Sequence, residues 1–299
     1  MKKSAFNSKN RPAYVFLLPW LIGFFCLALG PILVSLFLSF TKYDMVSDPR
    51  WVGLAQYEYL FTRDARFVKS LQVTLTYVVL SVPAKLVFAL MIAMVLDKGI
   101  RNIGIYRAIY YLPSLLGASI AIAILWRNIF DHSGVVNTIL LYFGIEGPNW
   151  IANPKTSLYT LVILAMWQFG SPMLIFLAGL RGISSEYYEA AEIDGASKKR
   201  QFFAITLPLL APVVFFNLIL QTIESFKTLS SAFIISNGNG APADSLLFFT
   251  IYLFNEAFKF FRMGYASALA WVLLVIISIF TAISFFTSKY WVYYENERD

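Results

Sequence analysis

The chain has 299 residues; 59% are apolar or aromatic and only 14% are charged, where a soluble domain carries about 25%. Five uncharged runs (13–41, 108–126, 156–180, 201–223 and 263–288) are each 19 to 29 residues long, enough to cross a bilayer as a helix, so a water-soluble fold is excluded. One cysteine (Cys26) and one histidine (His132) exclude a disulfide framework and a His/Cys metal cluster, and a net charge of +7 without a basic stripe does not describe a nucleic-acid surface.

In chain order, the basic start at Lys2 and Lys3 leads into an apolar run too long for a signal-peptide core, which is expected to be a retained first span. Six spans are expected, at 14–40, 70–96, 106–126, 157–180, 202–234 and 264–288. The second carries Lys85 inside an otherwise uncharged stretch, and one charge between two strongly apolar halves does not cancel insertion. The fourth has Trp167 and Gln168 at its middle, and an amide there needs a hydrogen-bond partner, from a neighbouring helix or from a ligand. The fifth exceeds what a bilayer needs and carries Glu224 and Lys227 near its far end, so a bend or break is expected there. Trp126, Trp150, Trp271, Trp291, Tyr110 and Tyr111 are expected mostly in the interfacial belts.

Lysine and arginine set the orientation. Segments 1–13, 97–107, 181–200 and 289–299 hold 13 of them in 55 residues, whereas 42–69, 127–155 and 237–262 hold 9 in 83. The denser set belongs on the cytoplasmic side, which places both termini there. The partition expected is a cytoplasmic N-terminal tail (1–13), one membrane domain (14–288) and a cytoplasmic C-terminal tail (289–299). The outer segments read as wetter loops, with turn chemistry at 146–149 and 237–242.

Membrane catalysis and primary ATP chemistry leave no marks. The phosphate-cradling G-x-x-x-x-G-K-[ST] pattern is missing, and His132 falls in an outer loop, so no catalytic residue is expected.

The loop between the fourth and fifth spans differs from an ordinary interfacial segment. Ser184 or Ser185 can cap a helix whose first turns carry Glu186 and Glu189, and Gly195 is a natural left-handed stop. Lys198, Lys199 and Arg200 then open a second short helix. Four acids and no base within 186–194 suit a protein partner better than an anionic lipid surface.

Glu189-Ala190-Ala191, then Gly195, then Ile205, Leu207 and Pro208 resemble the loop pattern of binding-protein-dependent ABC importer permeases: EAA, three residues, G, nine residues, I-x-L-P. Asp194 and Ala196 stand where the carbohydrate branch reads E-A-A-x-x-D-G-A. Supporting similarities run along nearly the whole chain, at Leu17-Leu18-Pro19, Gly30-Pro31, Trp51-Val52-Gly53-Leu54 with Tyr57, Leu112-Pro113, Leu177-Ala178-Gly179-Leu180 and Gly264-Tyr265-Ala266-Ser267-Ala268. Where the family often has T-x-G-G-P before the last span, this chain has Ser236-Asn-Gly-Asn-Gly-Ala-Pro242.

The resemblance implies an all-α polytopic fold with six transmembrane helices, of the type I ABC importer permease kind, in a bacterial cell membrane. It implies an importer of a carbohydrate, an oligosaccharide, working by alternating access. Its partners would be a second homologous permease, two cytoplasmic ATPase subunits and an extracytoplasmic binding protein. No cofactor is expected on this chain; ATP and Mg would bind the ATPases. Glu189, Ala190, Ala191, Asp194, Gly195, Ala196, Ile205, Leu207 and Pro208 would form the ATPase-coupling segment. Gln168, Gln221, Glu224, Lys227, Thr228 and Ser231 are the substrate-pathway candidates, because spacings of 3, 4 and 3 keep Gln221, Glu224, Thr228 and Ser231 on one helical face with Lys227 beside it. For Glu224 and Lys227 an internal ion pair is the competing expectation, and for Lys85 a bundle-facing structural lysine. The competing function is a stand-alone secondary transporter or channel using these charges as an ion relay.

Overall fold

A computed structural model describes residues 11–99, 102–117 and 119–293. Most of the tail expected at 1–13 and residues 294–299 of the tail expected at 289–299 lie outside the described residues. The chain forms helices almost throughout, the only sheet among the described residues being a two-residue antiparallel pair, β1 (Thr41–Lys42) with β2 (Arg50–Trp51). A backbone in hydrocarbon must satisfy its own N–H and C=O groups, and the helix does so within one segment.

Four helices are long and apolar enough to span a membrane alone: α1 (Phe16–Ser39), α3 (Ala65–Asp97), the run Lys198–Ile235 and α13 (Met263–Ser288). The expected spans at 106–126 and 157–180 are not single rods. Each is a pair of helices, α4 (Ile103–Leu116) with α5 (Ile120–Ile129), bent by 95°, and α7 (Ser157–Trp167) with α8 (Gly170–Arg181), bent by 44°. Counting each pair as one span gives the six expected. Hydropathy averages over about 20 residues and is blind to such breaks, since apolar residues line both arms.

The helices fall into two compact units. The first comprises residues up to Asp64 together with Glu256–Val272. Here the short helix α2 (Ala55–Thr62) follows the strand pair, with Tyr57 donating to Ser39 Oγ at 2.8 Å and Gln56 Nε2 to the Thr41 carbonyl at 3.0 Å. A Cβ on Gly264 would lie 2.2 Å from the Thr41 carbonyl oxygen, so only glycine lets α13 start against this strand. The adjacent Tyr265 hydroxyl donates to the buried Asp64 carboxylate. These contacts give a packing reason for Tyr57, Gly264 and Tyr265 among the positions singled out in the sequence.

The second unit, 65–255 with 273–299, is built on α3, which packs most extensively along α8. Ala89 and Ala93 of α3, Met173 and Phe176 of α8, and Leu210 and Phe226 of α10 (Leu207–Phe226) form its buried core. Small residues on α3 let the neighbouring helices approach closely, which is how membrane helices gain dispersion contact without a hydrophobic driving force.

Two expectations are corrected within this unit. Segment 237–262 is not simply a wet outer loop: Leu246, Leu247, Phe248, Phe249 and Ile251 are fully buried, the last two in the short helix α12 (Phe249–Phe254). Phe248 and Phe249 pack edge-on against Tyr77 and Phe67 of α3. The apolar run is too short to register as a span and is flanked by glycine and proline turns, so it reads as a loop. Trp126 is not an interfacial belt residue but a buried one, donating its indole N–H to the Thr160 carbonyl at 2.9 Å. Trp150 is likewise tied inward, to Asn137 Oδ1 of the short helix α6 (Val135–Tyr142) at 2.7 Å.

Candidate functional site

Two helix breaks make the central site. At the first, α7 ends at Trp167 and α8 begins at Gly170, leaving backbone groups that no helix satisfies. α4 (Ile103–Leu116) supplies the partners: Ser114 Oγ donates to the Gln168 carbonyl at 2.9 Å and accepts from the Ser171 N–H at 3.0 Å. Gly170 permits this approach, since a Cβ there would sit 2.4 Å from the Tyr110 carbonyl oxygen. Gln168 Nε2 donates to the Gly117 carbonyl at 3.1 Å, so part of its amide is used by a neighbouring segment.

At the second break, α10 stops at Phe226 and the chain resumes helix only in α11 (Ser230–Ile235). A bend or break here was expected, and the Thr228 carbonyl accepts from the Thr250 hydroxyl of α12. The buried 246–252 segment therefore buttresses the break from behind.

Between these elements lies a cavity of about 370 Å³. Gln168, Gln221, Glu224, Lys227, Thr228 and Ser231, the six residues drawn from the sequence, all line it. They do so for a reason other than the one expected. Because α10 ends at Phe226, Thr228 and Ser231 reach the cavity through the break and not along a continuous helical face. Glu224 and Lys227 form the expected ion pair, at 2.8 Å, and both also line the cavity.

Lys85, Tyr77 and Ser114 line the cavity as well. Lys85 was visible as the single charge in its span, but a lone charge carries no sign of which wall it faces. Tyr77 and Ser114 had no sequence signal beyond being polar groups within apolar spans.

The second place of interest is the 181–200 loop. Helix α9 (Ser185–Ile193) is capped by Ser184 Oγ, which accepts from the Glu186 N–H at 3.3 Å. Its C-terminus is a paired left-handed stop: the Gly195 N–H reaches the Glu192 carbonyl at 3.0 Å and the Ala196 N–H reaches the Ala191 carbonyl at 2.9 Å, with Gly195 at φ +74°. This is the Schellman arrangement, in which the left-handed residue sits four positions after the residue whose carbonyl closes the outer bond. The interval from Ala191 to Gly195 is thus a requirement of the turn.

Ser197 Oγ caps the next turn, Lys198–Gln201, by accepting from the Arg200 N–H at 3.4 Å. Lys198 pairs with Glu192, whose carboxyl is held below the usual range by that hydrogen bond and charge. No residue of α9 is buried in this chain. Ala191, Asp194 and Ala196 border a groove of about 220 Å³ with Arg200, Gln201 and Ile205. Glu189 and Ala190 are exposed beside it, while Leu207 and Pro208 open α10 after a π-helical turn at Phe202–Thr206.

A multi-helix membrane fold with a polar cavity at two helix breaks and a capped, exposed surface helix is the layout of a transport permease. Residues 60–290 match the model of the binding-protein-dependent transport system inner membrane component family, and the chain belongs to that family. It is 50% identical, over its full length and 97% of the relative's, to a probable ABC transporter permease protein, YesP, of Bacillus subtilis. It is 32% identical to the arabinooligosaccharides transport system permease protein AraP of the same organism, covering 94% of this chain and 90% of that one. Among solved structures, a bacterial alginate ABC transporter in complex with an alginate pentasaccharide-bound periplasmic protein superposes with a TM-score of 0.80. That match is 20% identical and covers 94% of this chain and 95% of that chain, which shows the same fold. The chain is therefore a multi-pass membrane permease component of the ABC transporter class.

Proposed function

We propose that this permease subunit imports a carbohydrate, an oligosaccharide, by alternating access, with ATP hydrolysed on separate subunits docked at the 181–200 loop. The observation that carries the substrate class is the cavity itself: Gln168, Gln221, Thr228, Ser231 and Ser114 present amides and hydroxyls to one space between membrane helices. Such groups cannot be satisfied by lipid, and they match the donor and acceptor pattern of sugar hydroxyls. Relatives named for arabinooligosaccharide and lactose transport support the same class.

In the proposed cycle, closure of the ATPase subunits displaces α9 about its Gly195 turn, and α10 carries the movement to Gln221 and Glu224 at its far end. The chain supplies bistable packing and a binding surface, and no bond is made or broken on it. A second permease would complete the cavity, and a binding protein outside the membrane would deliver the sugar. The termini and the 181–200 loop face the cytoplasm in this scheme.

The test is purification through a tag on this chain, followed by reconstitution with the co-purifying subunits and the binding protein. ATP hydrolysis and uptake that rise together with an oligosaccharide support the proposal. Purification without an ATPase, with uptake that survives ATP depletion, would instead establish a stand-alone carrier.

A further inference from the structure

Charge, beyond hydrogen-bonding capacity, distinguishes the cavity. Its charged lining side chains are Lys85, Glu224 and Lys227. Glu224 and Lys227 cancel each other in a 2.8 Å ion pair. Lys85, on α3, is absent from every ion pair among the described residues. The lining thus carries one uncompensated positive charge, half-buried at membrane depth, where an unpaired ammonium is costly.

A neutral sugar can accept hydrogen bonds from the ammonium but has no charge to offset its own. Its hydroxyls are served by Gln168, Gln221, Thr228 and Ser231, which are already present. A carboxylate does offset that charge, through a charge-assisted hydrogen bond roughly twice as strong as a neutral one. Lysine also suits a transport site: its ammonium is a point charge on a flexible stem with three rotatable donors, able to hold a carboxylate without the fixed fork geometry of arginine. A bound ligand must be released, so an adaptable single contact serves better than a rigid bidentate clamp. A positive cavity also repels metal cations and protons, which speaks against the ion-relay alternative.

We infer that the cavity takes an acidic oligosaccharide, one carrying uronic-acid carboxylates, with Lys85 as the residue that selects the charge. The inference rests on the carbohydrate import proposed above and names the class of sugar.

The experiment uses the full reconstituted transporter with its binding protein. Its probes are di- to tetrasaccharides containing galacturonate, glucuronate or mannuronate, each beside its carboxyl-reduced neutral form. Uptake is normalised to assembled complex in wild type, Lys85→Gln and Lys85→Arg. The expected result is uptake of a uronate sugar with a KM raised about tenfold or more in Lys85→Gln, equivalent to ~1.4 kcal/mol. Lys85→Arg keeps the charge and should keep the preference for the uronate over its reduced form, and any uptake of the reduced sugar should be indifferent to Lys85→Gln.

Wild-type uptake of the neutral forms alone, or of both forms equally, overturns the acidic assignment while leaving sugar import standing. Equal loss of both forms in Lys85→Gln overturns it too, by assigning Lys85 to packing or to an acid on a partner subunit. If Lys85→Gln does not assemble, the wild-type comparison of native and reduced sugars still decides. Failure of every sugar in the wild type overturns the carbohydrate proposal and this inference with it.

Discussion

Replacing Gly195 by valine separates backbone conformation from packing, because a Cβ at this position meets no atom within 4 Å while φ is +74°. Any cost is therefore that of holding an L-residue in the left-handed region. For an ordinary residue this is about 1–2 kcal/mol, and a β-branched side chain falls at the upper end or beyond. A shift of that size changes the population of the formed turn by a factor of about 5–30. Loss of the turn opens both closing bonds, Gly195 to Glu192 at 3.0 Å and Ala196 to Ala191 at 2.9 Å, and frees the path into the Lys198–Gln201 turn. Asparagine tolerates the left-handed region, so the expected order of activity is Gly, Asn, Ala, Val. The assay is ATP hydrolysis stimulated by the loaded binding protein in the reconstituted complex, with co-purification of the ATPase as a second readout. Wild-type stimulation in Gly195→Val, or equal damage by Asn and Val, would show that φ at Gly195 does not govern coupling.

Glu192→Gln should leave the same stimulation within about twofold, because the pair with Lys198 is exposed and such pairs contribute little. Its pH dependence has a defined sign: the lowered carboxyl contributes fully above the ordinary glutamate pKa, and the contribution fades only as acid takes the pH down through the lowered value. Asn137→Leu should lower the melting temperature in detergent by the equivalent of about 1–3 kcal/mol, since it strands Trp150 Nε1 and the carbonyls of His132 and Pro148; an unchanged melting curve would refute that accounting. Thr228→Leu should reduce transport per assembled complex severalfold, whereas unchanged transport per complex would remove Thr228 from the cavity's binding groups. In a Cys26→Ala background, cysteine at Ser184 should label from the cytoplasmic side alone and at Asn149 from outside alone, and labelling of both from one face would overturn the proposed orientation.

The parts of this molecule that were legible in the sequence share a cause. Spans are legible because lipid demands a minimum apolar length, and the 191–195 interval is legible because a Schellman turn demands it. The 246–252 segment was opaque because its burial depends on Tyr77 and Phe67, which lie far away in the chain, on α3. The break at Gln168 was opaque for a related reason. Its orphaned backbone groups are satisfied by Ser114, and no local pattern around 168 announces a partner on another helix. The cavity-lining positions were legible because polar residues deep in apolar spans are costly, although the helical face they were expected to share ends at Phe226.

One helix, α10, joins the 181–206 segment to the break after Phe226. Leu207 and Glu224 lie on a single helix, about 25 Å apart at 1.5 Å per residue. That helix is held along its length, by Leu210 and Phe226 in the core and by the close seat of Val213 and Leu210 on Gly179, where a Cβ would come within 2.8 Å of both side chains. In the proposed cycle a helix so fixed carries a tilt at its Leu207 end to Gln221 and Glu224. The compliance is placed instead at its two ends. At one end the Phe202–Thr206 turn lies between the loop and α10, and at the other the chain leaves helix between Phe226 and Ser230. In the proposed cycle the second hinge lets the outer wall, Thr228 and Ser231, stay with the 246–252 buttress while Gln221 and Glu224 move. In that cycle, polar groups that straddle the hinge would change their contacts with a bound sugar when the helix tilts, which is the differential binding that alternating access requires.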